Sequence, residues 1–274
     1  MCRKYILASN SETIENHFGA KASGFTNQSP AVVVEPGFES LVITQQSPGE
    51  LTLSVFGMTP SWAKQPMQFI NARAEGDKNP DNDPTFKGSK AIFLKPAFQK
   101  PLFSRRCIVV ADAFIGWSAA ILPKPYLFYL RDHKHPIGFA GLYDTWVNPV
   151  NGIQVHSFAI ITVAANSLVR SLPSYRMPVI LPFGQEAGWL KPTLSLAEIL
   201  RTLAMQPSKQ MNAYPISSKI DQSGPYSKEV LTPQGPRLLS EEQPPALPLQ
   251  SYYGHKKKPG DNTQTLSDLA HRSF

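Results

Sequence analysis

The chain has 274 residues, 42% hydrophobic and 17% charged, enough to bury a sizeable core in one large domain or two small ones. No apolar run approaches the roughly 20 residues that a membrane helix requires and no secretory apolar stretch opens the sequence, so a membrane partner is excluded and a cytoplasmic location is expected. Two cysteines, Cys2 and Cys107, are too few for a disulfide framework or a cysteine-ligated zinc site, so no metal and no cofactor are expected; the formal net charge of +7 points to an anionic partner, nucleic acid first.

In chain order, the first feature is Cys2. Once Met1 is trimmed, the chain begins with an amine and a thiol on adjacent carbons, a pair that condenses with aldehydes to a thiazolidine. Reference pKa values of about 8 and about 8.5 leave usable neutral amine at pH 7, and the charges of Arg3 and Lys4 push both groups towards their nucleophilic forms. A frayed terminus with an accidental cysteine is the plain alternative. A short helix is expected at Thr13 to His17. Short β-rich runs follow at Ala31 to Val34, Ser40 to Thr44, Leu51 to Phe56, Cys107 to Val110, Tyr126 to Leu130, Ile137 to Ala140 and Ser157 to Val163. Separated by Pro, Gly and Asn, they predict an antiparallel, strongly curved sheet or barrel. Cys107 reads as an inert core thiol. Two further helices are expected at Asn166 to Arg170 and Ser195 to Ala204, the second opened by a capping box of Ser195 and Glu198. From about residue 240 the pattern dissolves into a Pro-rich tail, 240–274, whose His255-Lys256-Lys257-Lys258 run either adds non-specific phosphate attraction or is merely solubilising.

Four segments carry the chemistry: Met1-Cys2; Phe56-Gly57-Met58-Thr59-Pro60-Ser61-Trp62 with Asn71-Ala72-Arg73-Ala74-Glu75; Arg106 through Phe114, containing Ala111-Asp112-Ala113; and Phe139 through Trp146 with Ile160-Ile161-Thr162 and Tyr175-Arg176-Met177-Pro178. In this order, with Asn27, Pro30 and Tyr214-Pro215-Ile216-Ser217 around them, they resemble the SOS-response-associated peptidase family of abasic-site processing proteins. The resemblance spans about residues 2 to 230. It implies one α+β domain, residues 1–239, with a strongly twisted, branched antiparallel sheet forming a pseudo-barrel plus a few peripheral helices. It also implies a monomer that binds single-stranded DNA containing abasic sites and cross-links the open-chain sugar aldehyde through Cys2, with a peptidase-like activity ascribed to the fold.

Carried over residue by residue, the resemblance makes Cys2 the nucleophile and Asn71 the amide that holds the terminus and the sugar. Thr162 becomes a small hydrogen-bonding group of the pocket, and Arg73 and Arg176 become phosphate contacts. Met177 and Pro178, in the segment of Arg176, are expected to join it in binding DNA. Lys4 stands where the family usually has Arg, and Phe56 where it usually has Trp. Trp62, Phe56 and Met58 either form an apolar wedge against unstacked bases or pack in the core. Two departures are larger. Gly116 stands at the family's Glu position and Ser174 at its His position, so both expected proton carriers are lost. Glu75 and Tyr175 are the substitutes nearest in sequence, Glu75 being equally a structural ion-pair partner. General acid–base groups typically contribute about a hundred- to ten-thousand-fold each, so slower cross-linking or an impaired reversal is expected. Non-covalent strand recognition and an N-terminal cysteine amide hydrolase remain as alternatives.

Overall fold

The computed structural model describes residues 2–22, 32–118, 121–132, 135–172, 174–222 and 226–240. Along these run β1 (Tyr5–Ile6), α1 (Ser11–Phe18), β2 (Lys21–Ala22), β3 (Val33–Val34), β4 (Glu39–Thr44), β5 (Glu50–Phe56) and β6 (Asn71–Arg73). Next come α2 (Pro96–Ser104), β7 (Arg106–Ala111), β8 (Ala113–Trp117), β9 (Pro125–Leu130), β10 (Ile137–Val147), β11 (Gln154–Ala164), α3 (Ser167–Ser171), β12 (Arg176–Pro178), α4 (Leu196–Thr202) and β13 (Met211–Pro215). None of the described helices is long and apolar enough to cross a membrane.

The barrel expected from the strand spacing is present. In the larger sheet β11, β10, β7, β4 and β5 are successive neighbours, and a further pairing of β5 with β11 closes them into a ring. Four of these pairings are antiparallel, and the closing one, Ser157 with Val55 and Phe158 with Phe56, is parallel. Every residue of β7 is buried, as expected of a strand covered on both faces rather than one that alternates. One of them is Arg106, whose guanidinium donates to the carbonyls of Leu102, Phe103, Trp189 and Lys191 and so satisfies the open end of α2. Burial lowers its pKa to about 10, which leaves it charged at neutral pH. Cys107 is buried beside it, as the sequence suggested.

A second sheet runs in the order β13, β9, β8, β1, β3. It carries the N-terminal strand, with Tyr5 paired to Phe114 on one side and Val34 on the other. The carboxylate of Asp112, between β7 and β8, accepts from the backbone of Ala8 and Ser9 and from the Ser9 hydroxyl, which ties the N-terminal segment to the junction of the two sheets. The fold is therefore α+β with helices at the periphery.

Branching occurs at β11. Its outer edge takes β6 in parallel, Ile160 to Asn71 and Thr162 to Arg73, while its other edge takes β12 beyond β10, Thr162 to Pro178 and Ala164 to Arg176. Two sequence-distant segments thus converge on the last residues of one strand. The expected capping box of α4 is formed, with Ser195 and Glu198 bonded reciprocally. Residues 241–274, nearly all of the expected tail, lie outside the described residues, as do Asn27 and Pro30.

Candidate active site

Asn71 opens β6 at the register position opposite Ile160, and its side chain reaches the N-terminal segment: Nδ2 donates to the carbonyl of Cys2 at 3.0 Å. Its Oδ1 is buried and accepts no hydrogen bond among the described residues. A buried acceptor left unpaired costs on the order of 1 to 3 kcal/mol, so a donor at that point would be strongly held. The ammonium or amine of a trimmed terminus is such a donor, and it belongs to the same residue whose carbonyl Asn71 already grips. Asn71 thus touches the N-terminal segment through the Cys2 carbonyl.

Cys2 itself is a buried thiol rather than a solvent-facing one. With Met1 in place it is 2% exposed, packed in the main core cluster, with Sγ 3.9 Å from the carbonyl of Lys4. Desolvation pushes its pKa up from 9.0 to about 12, so the sulfhydryl is protonated at neutral pH. Arg3 and Lys4 do not deliver the thiolate that their charges suggested. Lys4 is occupied: its ammonium pairs with Glu35 at 2.9 Å and donates to the Tyr226 hydroxyl and the Ile220 carbonyl.

The arginines come together on either side of β11. Arg176 is 5% exposed and fully engaged, Nη2 on Glu75 at 2.7 Å, Nε on Thr162 Oγ1 at 3.1 Å and Nη1 on Asn82 Oδ1 at 3.1 Å. Glu75 spends its other oxygen on the Ala164 amide at 3.0 Å. Neither is a free group. Glu75 and Arg176 form a structural pair that clamps β6 to β12 across β11, and Thr162 is the buried hydroxyl between them. Thus Glu75 is not placed to replace the missing carboxylate, and Arg176 does not present an open phosphate contact. Arg73 is half-buried and donates to Asn82 Oδ1 at 3.2 Å and to the Asn79 carbonyl.

The expected apolar wedge divides. Phe56 and Met58 are completely buried, Phe56 stacking on Phe158 at 5.3 Å, while Met177 and Pro178 are buried in β12. Trp62 alone stands out, 58% exposed. The cause is backbone geometry. Gly57, at φ +123°, turns the chain out of β5, and the loop beyond is braced by Asp144, which accepts from the Ser61 amide at 2.8 Å, and by Trp146, whose indole donates to the Ala63 carbonyl at 2.7 Å. Trp62 is an aromatic face held out by a rigid loop.

The positions of the two absent proton carriers do converge. A Cβ on Gly116 would lie 3.0 Å from Ser174 Oγ and 2.8 Å from the ring of Phe128. Phe128 is the cross-strand partner of Phe114, two residues from Gly116 on the same face of β8, and stacks on it at 5.0 Å. An apolar ring therefore fills the space that a side chain at position 116 would need. Phe128 and Asn82 are the site residues that sequence reading missed. Phe128 reads as one more alternating strand residue, and the only sign of Asn82 was a Pro, Asn and Asp-rich stretch that marks a loop.

A model of the SOS response associated peptidase (SRAP) family matches residues 1–223, and the chain belongs to that family. It is 32% identical over 243 residues to the abasic site processing protein YoqW of Bacillus subtilis, a match covering 84% of this chain and 99% of that protein. It is 28% identical over 204 residues to the abasic site processing protein HMCES of Gallus gallus, covering 65% of this chain and 56% of that one. A crystal structure of a protein from Bacteroides thetaiotaomicron shares the fold with a TM-score of 0.72 at 24% identity, over 85% of this chain and 99% of that chain.

Proposed function

We propose that this protein processes abasic sites in single-stranded DNA and, once Met1 is removed, captures the lesion covalently through Cys2. The α-amine attacks the aldehyde carbon of the open sugar and water leaves, giving an imine. The Cys2 sulfhydryl then adds across the C=N bond, sulfur to carbon and proton to nitrogen, closing a thiazolidine with one water released in all. A thiol held protonated at neutral pH suits this order, amine first and sulfur second. The observation that carries the reading is Asn71: its Nδ2 on the Cys2 carbonyl, with a buried, unpaired Oδ1 beside it, fits an amine at that point. Trp62 offers a base-stacking face worth about 1 to 3 kcal/mol, and Arg73 stands on β6 paired with Thr162 of β11.

Without a carboxylate at Gly116 or an imidazole at Ser174, proton transfers fall to solvent, so capture is slow for the family and the adduct is long-lived once formed. The closed space under Phe128 also favours a second reading, non-covalent recognition of the lesion by a member that has shed the chemistry. Intact-mass measurement after incubation with an abasic single-stranded oligonucleotide separates the two. Capture predicts a DNA adduct on protein lacking Met1, lost in Cys2→Ala while salt-sensitive strand affinity stays. An adduct that survives Cys2→Ala removes Cys2 from the mechanism, and strand binding with no adduct leaves the non-covalent reading.

A further inference from the structure

Between Gly76 and Ala91 the chain makes a loop that folds back onto the arginines of the site. Its turn is closed by the carboxamide of Asn79, a buried residue: Oδ1 accepts from the Asp83 amide at 2.8 Å and Nδ2 donates to the Asp83 carbonyl at 2.9 Å. The turn aims three oxygens at three guanidiniums. Asn82 Oδ1 accepts from Arg73 at 3.2 Å and from Arg176 at 3.1 Å, the Asn82 carbonyl accepts from Arg170 Nη1 at 3.0 Å, and the Asn79 carbonyl accepts from Arg73. Asn82 makes these contacts from the left-handed region, φ +55°, which Asn tolerates better than most residues.

Convergent oxygens on clustered guanidiniums are the arrangement a phosphate makes. Here every oxygen from the turn is neutral. Glu75 compensates Arg176, and Asp83 lies within electrostatic reach of Arg170, so three guanidiniums meet two carboxylates and positive charge is left over. One phosphodiester carries one negative charge. Arg170 is also held from behind, its guanidinium over the ring of Tyr175 at 5.6 Å. Arg170 also lines a groove of about 820 Å³, walled by Pro84, Asn166 and Lys209 among others, within the range of small-molecule pockets.

We propose that Arg73 and Arg170, backed by Arg176, form a phosphodiester seat for the strand, and that Asn82 occupies it until a phosphate displaces the turn. The proposal rests on the single-strand reading above; to the phosphate contacts that the resemblance implied for Arg73 and Arg176 it adds Arg170 and the gate that closes the seat.

The gate is tested with two substitutions of opposite sign and two probes. Asn82→Gly accepts the positive φ and deletes the side-chain oxygen, whereas Asn82→Asp puts a full charge between Arg73 and Arg176. One to two hydrogen bonds convert to roughly threefold to tenfold in affinity. Asn82→Gly should therefore tighten binding of inorganic pyrophosphate and of an undamaged single-stranded oligonucleotide by about that factor, and Asn82→Asp should weaken both by about tenfold or more. Arg170→Ala in the Asn82→Gly background should reverse the gain. Asn82→Ser, whose hydroxyl falls short of both guanidiniums, repeats the test should glycine loosen the loop. A residue that only organises the arginines predicts weaker binding for glycine, serine and aspartate alike, and that result overturns the gate. Pyrophosphate responses of the expected signs with no oligonucleotide binding by any variant would keep the seat and remove the single-strand reading. Oligonucleotide binding unchanged by Asn82→Gly would do the reverse.

Discussion

Cys2 is a thiol stored in the core. Its ordinary thiol pKa of 9.0 is raised to about 12 by loss of hydration, and this has a measurable consequence for the folded chain. In unfolded protein the proton leaves near 9; in folded protein it stays to about 12. Between those values the folded state binds more protons, so its contribution to stability is complete below pH 9 and is lost as pH rises towards 12. One such group changes stability by at most about 1.4 kcal/mol per pH unit within that window. Urea melts of the Met1-bearing wild type and of Cys2→Ala, taken between pH 8 and 11, should differ in alkaline slope by a value approaching that limit. The buried Cys107 shifts in the same direction but cancels in the comparison. Equal slopes would mean that the Cys2 thiol is solvated in solution, and the order of bond formation proposed above would lose its basis.

At the scale of elements, β8 and β9 decide what chemistry the site retains. The Phe114–Phe128 stack and the bare backbone at Gly116 fit each other: the ring lies where a carboxylate stem would pass. Gly116→Glu alone should overpack the strand pair and destabilise the protein by about 1 to 3 kcal/mol. Combined with Phe128→Leu, the same carboxylate gains room beside Ser174, and adduct formation should accelerate by about a hundredfold or more over wild type. Thermal melts and a time course of adduct formation on gels follow both effects. A single Gly116→Glu variant that is stable and fast would show that Phe128 is no barrier. The sequence made the empty Glu and His positions legible, since each is one residue in a quotable motif, but not the ring between them, which depends on strand register. The same limit explains the wedge. Phe56, Met58 and Trp62 are equally apolar in sequence, and only the closing pair of Phe56 with Phe158 and the turn at Gly57 sort two of them into the core and one into solvent. Strand runs and the α4 capping box were readable from period and caps. The α2 helix was not, because Pro96 and Pro101 disguise it: Pro96 sits in the first turn, where no amide hydrogen bond is required, and Pro101 lies within the helix.

Over the whole molecule, charge and chain order suggest where the folded unit ends and which part of it attracts a strand. The family match stops at residue 223, yet packing continues: Val230 and Leu231 are buried, and the Asn212 carboxamide bonds both the amide and the carbonyl of Leu239 at 3.0 and 2.8 Å. Arg131 also donates to the Ser240 carbonyl at 3.0 Å, so the last described residue is still tied to the sheet. Beyond it, Glu241, Glu242, Asp261 and Asp268 balance Lys256, Lys257, Lys258 and Arg272, and the formal +7 resides entirely in residues 1–240. We therefore propose that the folded unit ends at residues 239 to 240 and supplies the electrostatic attraction by itself. A chain ending at Ser240 should melt within a few degrees of the full-length protein. Its affinity for a single-stranded oligonucleotide should fall with salt at the same slope on logarithmic axes. Were the three tail lysines neutralising phosphates, their removal would instead reduce that slope by roughly 0.7 for each. A slope lower by about 2 in the shortened chain would assign the strand's non-specific hold to the Lys256-Lys257-Lys258 run, and the arginines around β11 would then act in placement rather than attraction.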